Sequence, residues 1–207
     1  IVRVLDKEVS DLKRLPAGTA KAEIPKAPAS VCPSEAPVKT FNVVAMDRPL
    51  VFNTKAKGAI EVDFERKIEV ANPEAKIFAL EEEAARVATG AQPMPLTLRV
   101  NLGDCIKVNL KNKMAGSRAS FFAPGLAFDP KDSQGINVGN NPGDQTIGSG
   151  ESRTYTYYAH PDNKETTSLV WDGANVVVNP RNGRFGAVIV GPRGSKYRNP
   201  VTGEDLS

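Results

Sequence analysis

The residues able to hold a metal or move a proton are few and badly placed for either task. The chain has a single histidine, His160, two cysteines, Cys32 and Cys105, and three methionines, Met46, Met94 and Met114. A type 1 copper centre takes two imidazoles and a thiolate, with a weak axial thioether. One histidine in the turn Ala159-His160-Pro161-Asp162 and two distant cysteines do not supply that set. The methionines show no clustered spacing, and they read as core or surface fillers. Nucleophilic catalysis needs a Ser or Cys beside a base and an orienting group. His160 is the sole candidate base of imidazole type, and no G-x-S-x-G elbow is present, which argues against a hydrolase. Gly148-Ser149-Gly150 lacks the spacing and the strand-to-helix context of a phosphate cradle, so it reads as a turn. Asp129, Asp132, Asp144 and the loop Asn137-Val138-Gly139-Asn140-Asn141 offer oxygens to a hard cation. They lack the spacing of a calcium loop, and ordinary turn chemistry is the expectation there.

The framework that must position these groups is built from short strands. Leu96, Leu98 and Val100 alternate with polar residues, and Ile106, Val108 and Leu110 do the same after the turn at Gly103-Asp104. Phe41-Asn42-Val43-Val44-Ala45-Met46, Leu50-Val51-Phe52, Ser152-Arg153-Thr154-Tyr155-Thr156-Tyr157-Tyr158, Ser168-Leu169-Val170-Trp171 and Phe185-Gly186-Ala187-Val188-Ile189-Val190 complete the set. One short helix is expected over residues 81–88, where three glutamates open the first turn and Gly90 stops the last. Gly (17) and Pro (16) are frequent enough to favour turns over long helices. The pattern predicts an all-β antiparallel sandwich over residues 41–207. Residues 1–40, rich in Ala, Pro and Lys, bury little apolar surface and read as an extended arm or interdomain linker.

A formal charge of +3 spread over scattered Lys and Arg argues against nucleic acid as a partner. No apolar run approaches the roughly 20 residues of a membrane span. The chain starts at Ile1 without a signal-peptide pattern, and it is expected to be processed or a piece of something longer. Cys32 and Cys105 fit either one bridge or two free thiols. A bridge would close a loop of about 70 residues, contribute roughly 4 kcal/mol and imply an oxidising compartment.

Pro95-Leu96-Thr97-Leu98-Arg99-Val100-Asn101-Leu102-Gly103-Asp104 with Ile106-Lys107-Val108-Asn109-Leu110 resembles the strand pair that opens a cupredoxin domain in multicopper oxidases. Gly150-Glu151-Ser152-Arg153-Thr154-Tyr155-Thr156-Tyr157 is similar to a later strand of that family, and Gly186-Ala187-Val188-Ile189-Val190 to its closing strand. Cys32-Pro33-Ser34-Glu35-Ala36-Pro37-Val38 and Ser195-Lys196-Tyr197-Arg198-Asn199-Pro200 also have look-alikes, within large multi-domain bacterial oxidases that include manganese-oxidising enzymes.

The resemblance implies a cupredoxin-like Greek-key β-sandwich in which the copper ligands are absent. The family's first His-x-His falls at Phe122 and Pro124, and the second at Trp171 and Gly173. His160 matches a turn of the family, not a ligand. Phe122, Pro124 and Trp171, with Phe121, Tyr155, Tyr157 and Tyr158, are expected to fill the space a metal site would leave. The resemblance thus implies a non-catalytic module with no cofactor of its own, partnered by other cupredoxin domains or subunits, and copper is left to a parent assembly. An extracellular or periplasmic setting goes with this reading. Two alternatives stand beside it: a self-assembling subunit that forms rings or filaments by arm exchange, and an oxidase subunit whose copper ligands come from partner chains.

Overall fold

Period-two alternation along the strands decides which side chains meet in the interior. The computed structural model describes residues 30–53, 70–137 and 144–205. Within them the chain forms β1 (Val38–Asp47), β2 (Leu50–Asn53), β3 (Val70–Asn72), β4 (Lys76–Leu80), α1 (Glu81–Ala88), β5 (Leu96–Asn101) and β6 (Cys105–Asn112). There follow β7 (Ala127–Phe128), β8 (Ser152–Tyr158), β9 (Thr166–Trp171), α2 (Val178–Arg181) and β10 (Phe185–Gly191), with 3-10 turns at Pro161–Asn163 and Gly173–Asn175. One sheet has the order β4-β1-β6-β8-β7, a second has β5-β10-β9, and β2-β3 form a separate ribbon.

The two larger sheets enclose one core. Val43 and Ala45 from β1, Ile106, Val108 and Leu110 from β6, and Tyr155 and Tyr157 from β8 meet Leu96, Leu98, Val100, Val170, Val188 and Val190 from the facing sheet. The buried phenols are satisfied: Tyr155 donates to the Gln145 carbonyl and Tyr157 to the Phe121 carbonyl, both at 2.7 Å. The opposite parity of β1 sends Val44 and Met46 outward, where Ala84 and Val87 of α1 cover them together with Ile77 and Ala79. The helix starts with Glu81, Glu82 and Glu83 and is followed by Gly90 at φ 111°, as the acidic turn and glycine stop require.

The all-β sandwich matches the expectation, but it is not purely antiparallel, since β1 pairs with β6 and β10 with β5 in parallel. Three further details differ. β1 begins at Val38, so residues 38–40 of the expected arm are sheet. They pair in parallel with β6 from Val38 opposite Cys105 onward. Residues 1–29, the rest of that arm, lie outside the described residues. Next, β5 and β6 do not pair with each other. The turn at Gly103-Asp104 is a corner between sheets: Gly103 takes φ 92° and donates to the Ala159 carbonyl at 2.7 Å, and the Asp104 carboxylate accepts from the Asn101 amide at 2.8 Å. Finally, the expected single helix is joined by α2, a short turn beginning at Val178.

Cys32 and Cys105 are bonded, with Cα atoms 5.6 Å apart. The bond fastens the segment before β1 to the first residue of β6, where the parallel pairing starts. No helix among the described residues is long and apolar enough to cross a membrane.

Candidate functional site

The two segments that hold Phe122, Pro124, Trp171 and Gly173 run side by side. Phe122 and Trp171 form an antiparallel bridge, each amide donating to the other's carbonyl at 3.1 Å. Polar side chains lengthen the seam at both ends. The Gly125 amide donates to Ser168 Oγ at 3.0 Å, and the Gly173 amide donates to Ser120 Oγ at 2.8 Å. Ser120 is fixed in turn by Asp172, whose Oδ1 accepts from the Ser120 amide at 3.0 Å and from the Ala174 amide at 2.9 Å. Phe121, Ala123 and Val170 are buried in the core, so strand parity turns Phe122, Pro124 and Trp171 away from it.

The expected aromatic infill is therefore corrected in part. Phe121, Tyr155 and Tyr157 do pack together in the interior, with ring centroids 5.9–6.4 Å apart. Trp171 is 42% exposed and Pro124 is exposed. Phe122 is half-buried, edge-on to Phe128 at 5.6 Å. Strand alternation outranks side-chain size here: a large ring on the outward parity stays outside.

The four positions do not fit copper. Phe122, Pro124, Trp171 and Gly173 offer no side-chain atom suited to ligate it. Gly173 has no room for a side chain, because a Cβ there would lie 2.5 Å from the Gly135 carbonyl oxygen and 2.5 Å from Ile136 Cγ1. His160 stands apart from the seam at the start of the 3-10 turn Pro161–Asn163. Its Nδ1 accepts from the Asp162 amide at 3.2 Å and its ring meets Tyr158 edge-on at 5.5 Å. Among the described residues no three His, Cys, Asp or Glu side chains gather in a way that would hold a metal ion.

The acidic candidates are engaged in turns and ion pairs. Asp129 Oδ1 accepts from the Lys131 amide, Asp132 pairs with Arg153 at 3.2 Å, and Asp144 pairs with Arg118. Hydrogen bonds from the Asn137 side chain, and from the amide and hydroxyl of Thr146, lower the Asp144 pKa to about 2, with help from Arg118. Of the loop Asn137-Val138-Gly139-Asn140-Asn141, only Asn137 lies within the described residues.

One charged pair had no forecast. Asp172 is fully buried and Arg184 nearly so, with Nε 3.0 Å from Oδ2. Burial raises the Asp172 pKa and lowers that of Arg184, and each charge partly offsets the shift of the other. Arg184 also donates to the Arg118 carbonyl at 3.1 Å and approaches Met114 Sδ at 3.0 Å. The sequence signal was slight: an Asp between Trp171 and Gly173, and an Arg just before the closing strand.

No family model matches the sequence, and no curated protein matches it either. Solved structures do. A multicopper oxidase from Pseudomonas thermotolerans superposes with TM-score 0.52 at 15% identity, covering 79% of this chain and 32% of its own. Another multicopper oxidase gives TM-score 0.51 at 19% identity, covering 81% of this chain and 46% of its own. The multicopper oxidase mgLAC gives 0.50 at 20% identity, over 76% and 40% respectively. The fold is cupredoxin-like. The chain spans less than half the length of each of these proteins.

The outer faces of this cupredoxin-like sandwich are unlike each other. Beyond α1, the five-stranded sheet presents Thr40, Asn42, Lys107, Asn109, Lys111 and Thr154, tied by Thr154 Oγ1 to Asn109 Oδ1 at 2.7 Å and by Asn109 Nδ2 to Asn42 Oδ1 at 3.0 Å. The three-stranded sheet presents Trp171 opposite Phe185 and Leu169 opposite Ala187, with Ile189 beyond, bordered by Thr167 of β9 and by Thr97 and Arg99 of β5. Phe185 is 47% and Leu169 66% exposed. With the Phe122 bridge, the register sets Phe122, Trp171 and Phe185 in one row across the bridged segment, β9 and β10.

Proposed function

We propose that the chain is a non-catalytic structural and interaction module of a multicopper-oxidase-like protein or complex. It docks through the outer face of the β5-β10-β9 sheet onto another cupredoxin-like domain or subunit. The observation that carries this reading is the exposed apolar group Trp171, Phe185 and Leu169, continued by the half-buried Phe122, on the sheet whose opposite number is largely polar and hydrogen-bonded across its surface. Contiguous apolar surface of this kind marks an interaction site more often than a solvated face. The positions that the resemblance assigns to histidine lie within this group or beside it. The reading is thus that the edge to which the resemblance assigns metal ligands serves as contact surface here. The sequence resemblance points to large bacterial enzymes of the manganese-oxidising type as the setting. The disulfide supports an extracellular or periplasmic location.

The test has two arms. Metal analysis and visible spectroscopy of the isolated chain should find no stoichiometric copper and no blue band, and finding both would overturn the non-catalytic reading. Native co-purification should recover a chain bearing cupredoxin-like domains. Leu169→Lys should abolish that association while leaving the fold intact. A wild-type chain that purifies as a lone monomer would overturn the docking reading.

A further inference from the structure

Away from the seam, a cavity of about 270 Å³ opens between the β2-β3 ribbon, β4 and the entry to β10. Its walls are chiefly apolar, with Ile77 and Phe78 at the base and Met94 and Phe185 near the mouth. Asn72, Asn182 and Arg181 supply polar groups. This volume lies just under the ~300–1,000 Å³ range of small-molecule sites, so it suits a compact ligand of one or two rings.

The polar side of the cavity is built on a rigid turn. Gly183 takes φ 106°, and a Cβ there would lie 2.9 Å from the Lys76 carbonyl oxygen. The Lys76 amide donates to the Asn182 carbonyl at 2.8 Å, and Asn72 Nδ2 donates to Asn182 Oδ1 at 3.3 Å. Arg181, the last residue of α2 and adjacent to Asn182, makes no side-chain ion pair or hydrogen bond among the described residues. No Asp or Glu lines the cavity. A guanidinium without a counter-charge at the edge of an apolar cavity complements a ligand with one anionic group and a hydrophobic body.

We propose that this cavity binds a small aromatic or aliphatic carboxylate, its carboxylate on Arg181 and its body against Phe78, Ile77 and Phe185. The site is independent of the docking surface proposed above, apart from the shared wall of Phe185. The test is a calorimetric titration of the full chain with 2-naphthoate and, separately, with the neutral 2-naphthalenemethanol.

Naphthoate should saturate at one per chain. Arg181→Gln, an exposed position whose fold is checked by circular dichroism, should weaken it about tenfold or more while changing the neutral alcohol less than about twofold. Met94→Asp, which places a carboxylate at the mouth, should also weaken naphthoate. Absence of saturable binding at millimolar naphthoate, or equal affinity in Arg181→Gln, overturns the proposal. Leu169→Lys should leave naphthoate binding unchanged, so failure of the docking reading and failure of this one remain distinguishable.

Discussion

Phe122 and Trp171 are joined by two backbone hydrogen bonds of 3.1 Å across an antiparallel bridge, although 49 positions separate them. Main-chain pairing, supplemented by Ser120 and Ser168, holds this seam together. Placing histidines at the positions that the resemblance assigns to ligands does not by itself build a metal site. Phe122→His and Trp171→His point outward and should be tolerated. Gly173→His should lower stability by about 1–3 kcal/mol or more, because even its Cβ meets the Gly135 carbonyl and Ile136 at 2.5 Å. Urea unfolding of Gly173→Ala and Gly173→His measures this cost, and midpoints equal to wild type would refute the steric argument.

The disulfide gives a second expectation. Cys32 and Cys105 are separated by 73 positions, so the bond removes entropy from a long loop in the unfolded chain. Cys32→Ala/Cys105→Ala should lose about 2–4 kcal/mol in equilibrium unfolding. Wild type in reducing buffer should approach the same midpoint. Proteolysis should reach the 30–37 segment first, since its covalent tie to β6 is then gone. A double variant as stable as the oxidised protein would show that the parallel β1-β6 pairing suffices alone.

Much of the framework was legible because burial alternates with strand parity. Leu96, Leu98 and Val100, and Ile106, Val108 and Leu110, all face the core as their spacing requires. Alternation identifies a buried face but not the neighbouring strand, and so β5 and β6, consecutive alternating segments in the sequence, stand in opposite sheets. α2 starts from Val176-Val177-Val178, a β-branched run of low helix propensity, so no helical signal marked it in the sequence. Trp171 illustrates the converse limit. Its size suggests core, and only the register beside Phe122 and Phe185 reveals that it lies on the outside.

Asp144 supplies a pH test with a definite sign. Its pKa falls from 3.8 to about 2 through the Asn137 and Thr146 hydrogen bonds and the Arg118 charge. A depressed folded-state value means the unfolded chain binds more protons between these limits. The stabilisation is present above about pH 4 and is lost as pH falls toward 2. The gap in urea midpoint between wild type and Asp144→Asn should therefore be full at pH 5–6 and shrink steadily below pH 4. A gap that stays constant to pH 2 would assign the effect to shape and not to charge.

Asp172 and Arg184 carry the sharpest energetic prediction. Both are buried; Asp172 directly follows Trp171 and accepts from the Ser120 amide, and Arg184 directly precedes Phe185, so the seam depends on the integrity of the pair. Asp172→Asn keeps an oxygen able to accept from the Ser120 and Ala174 amides, and so it isolates loss of the charge. It leaves the Arg184 guanidinium buried and uncompensated, which should cost about 3–5 kcal/mol. Arg184→Met strands the carboxylate instead and should cost a similar amount. The double variant buries neither charge, and its loss should fall short of the sum of the single losses by about 1–3 kcal/mol. Urea unfolding of the four proteins closes the cycle. Simple additivity would mean that the two side chains act separately, through Ser120 on one side and the Arg118 carbonyl on the other, and that the 3.0 Å approach contributes nothing of its own.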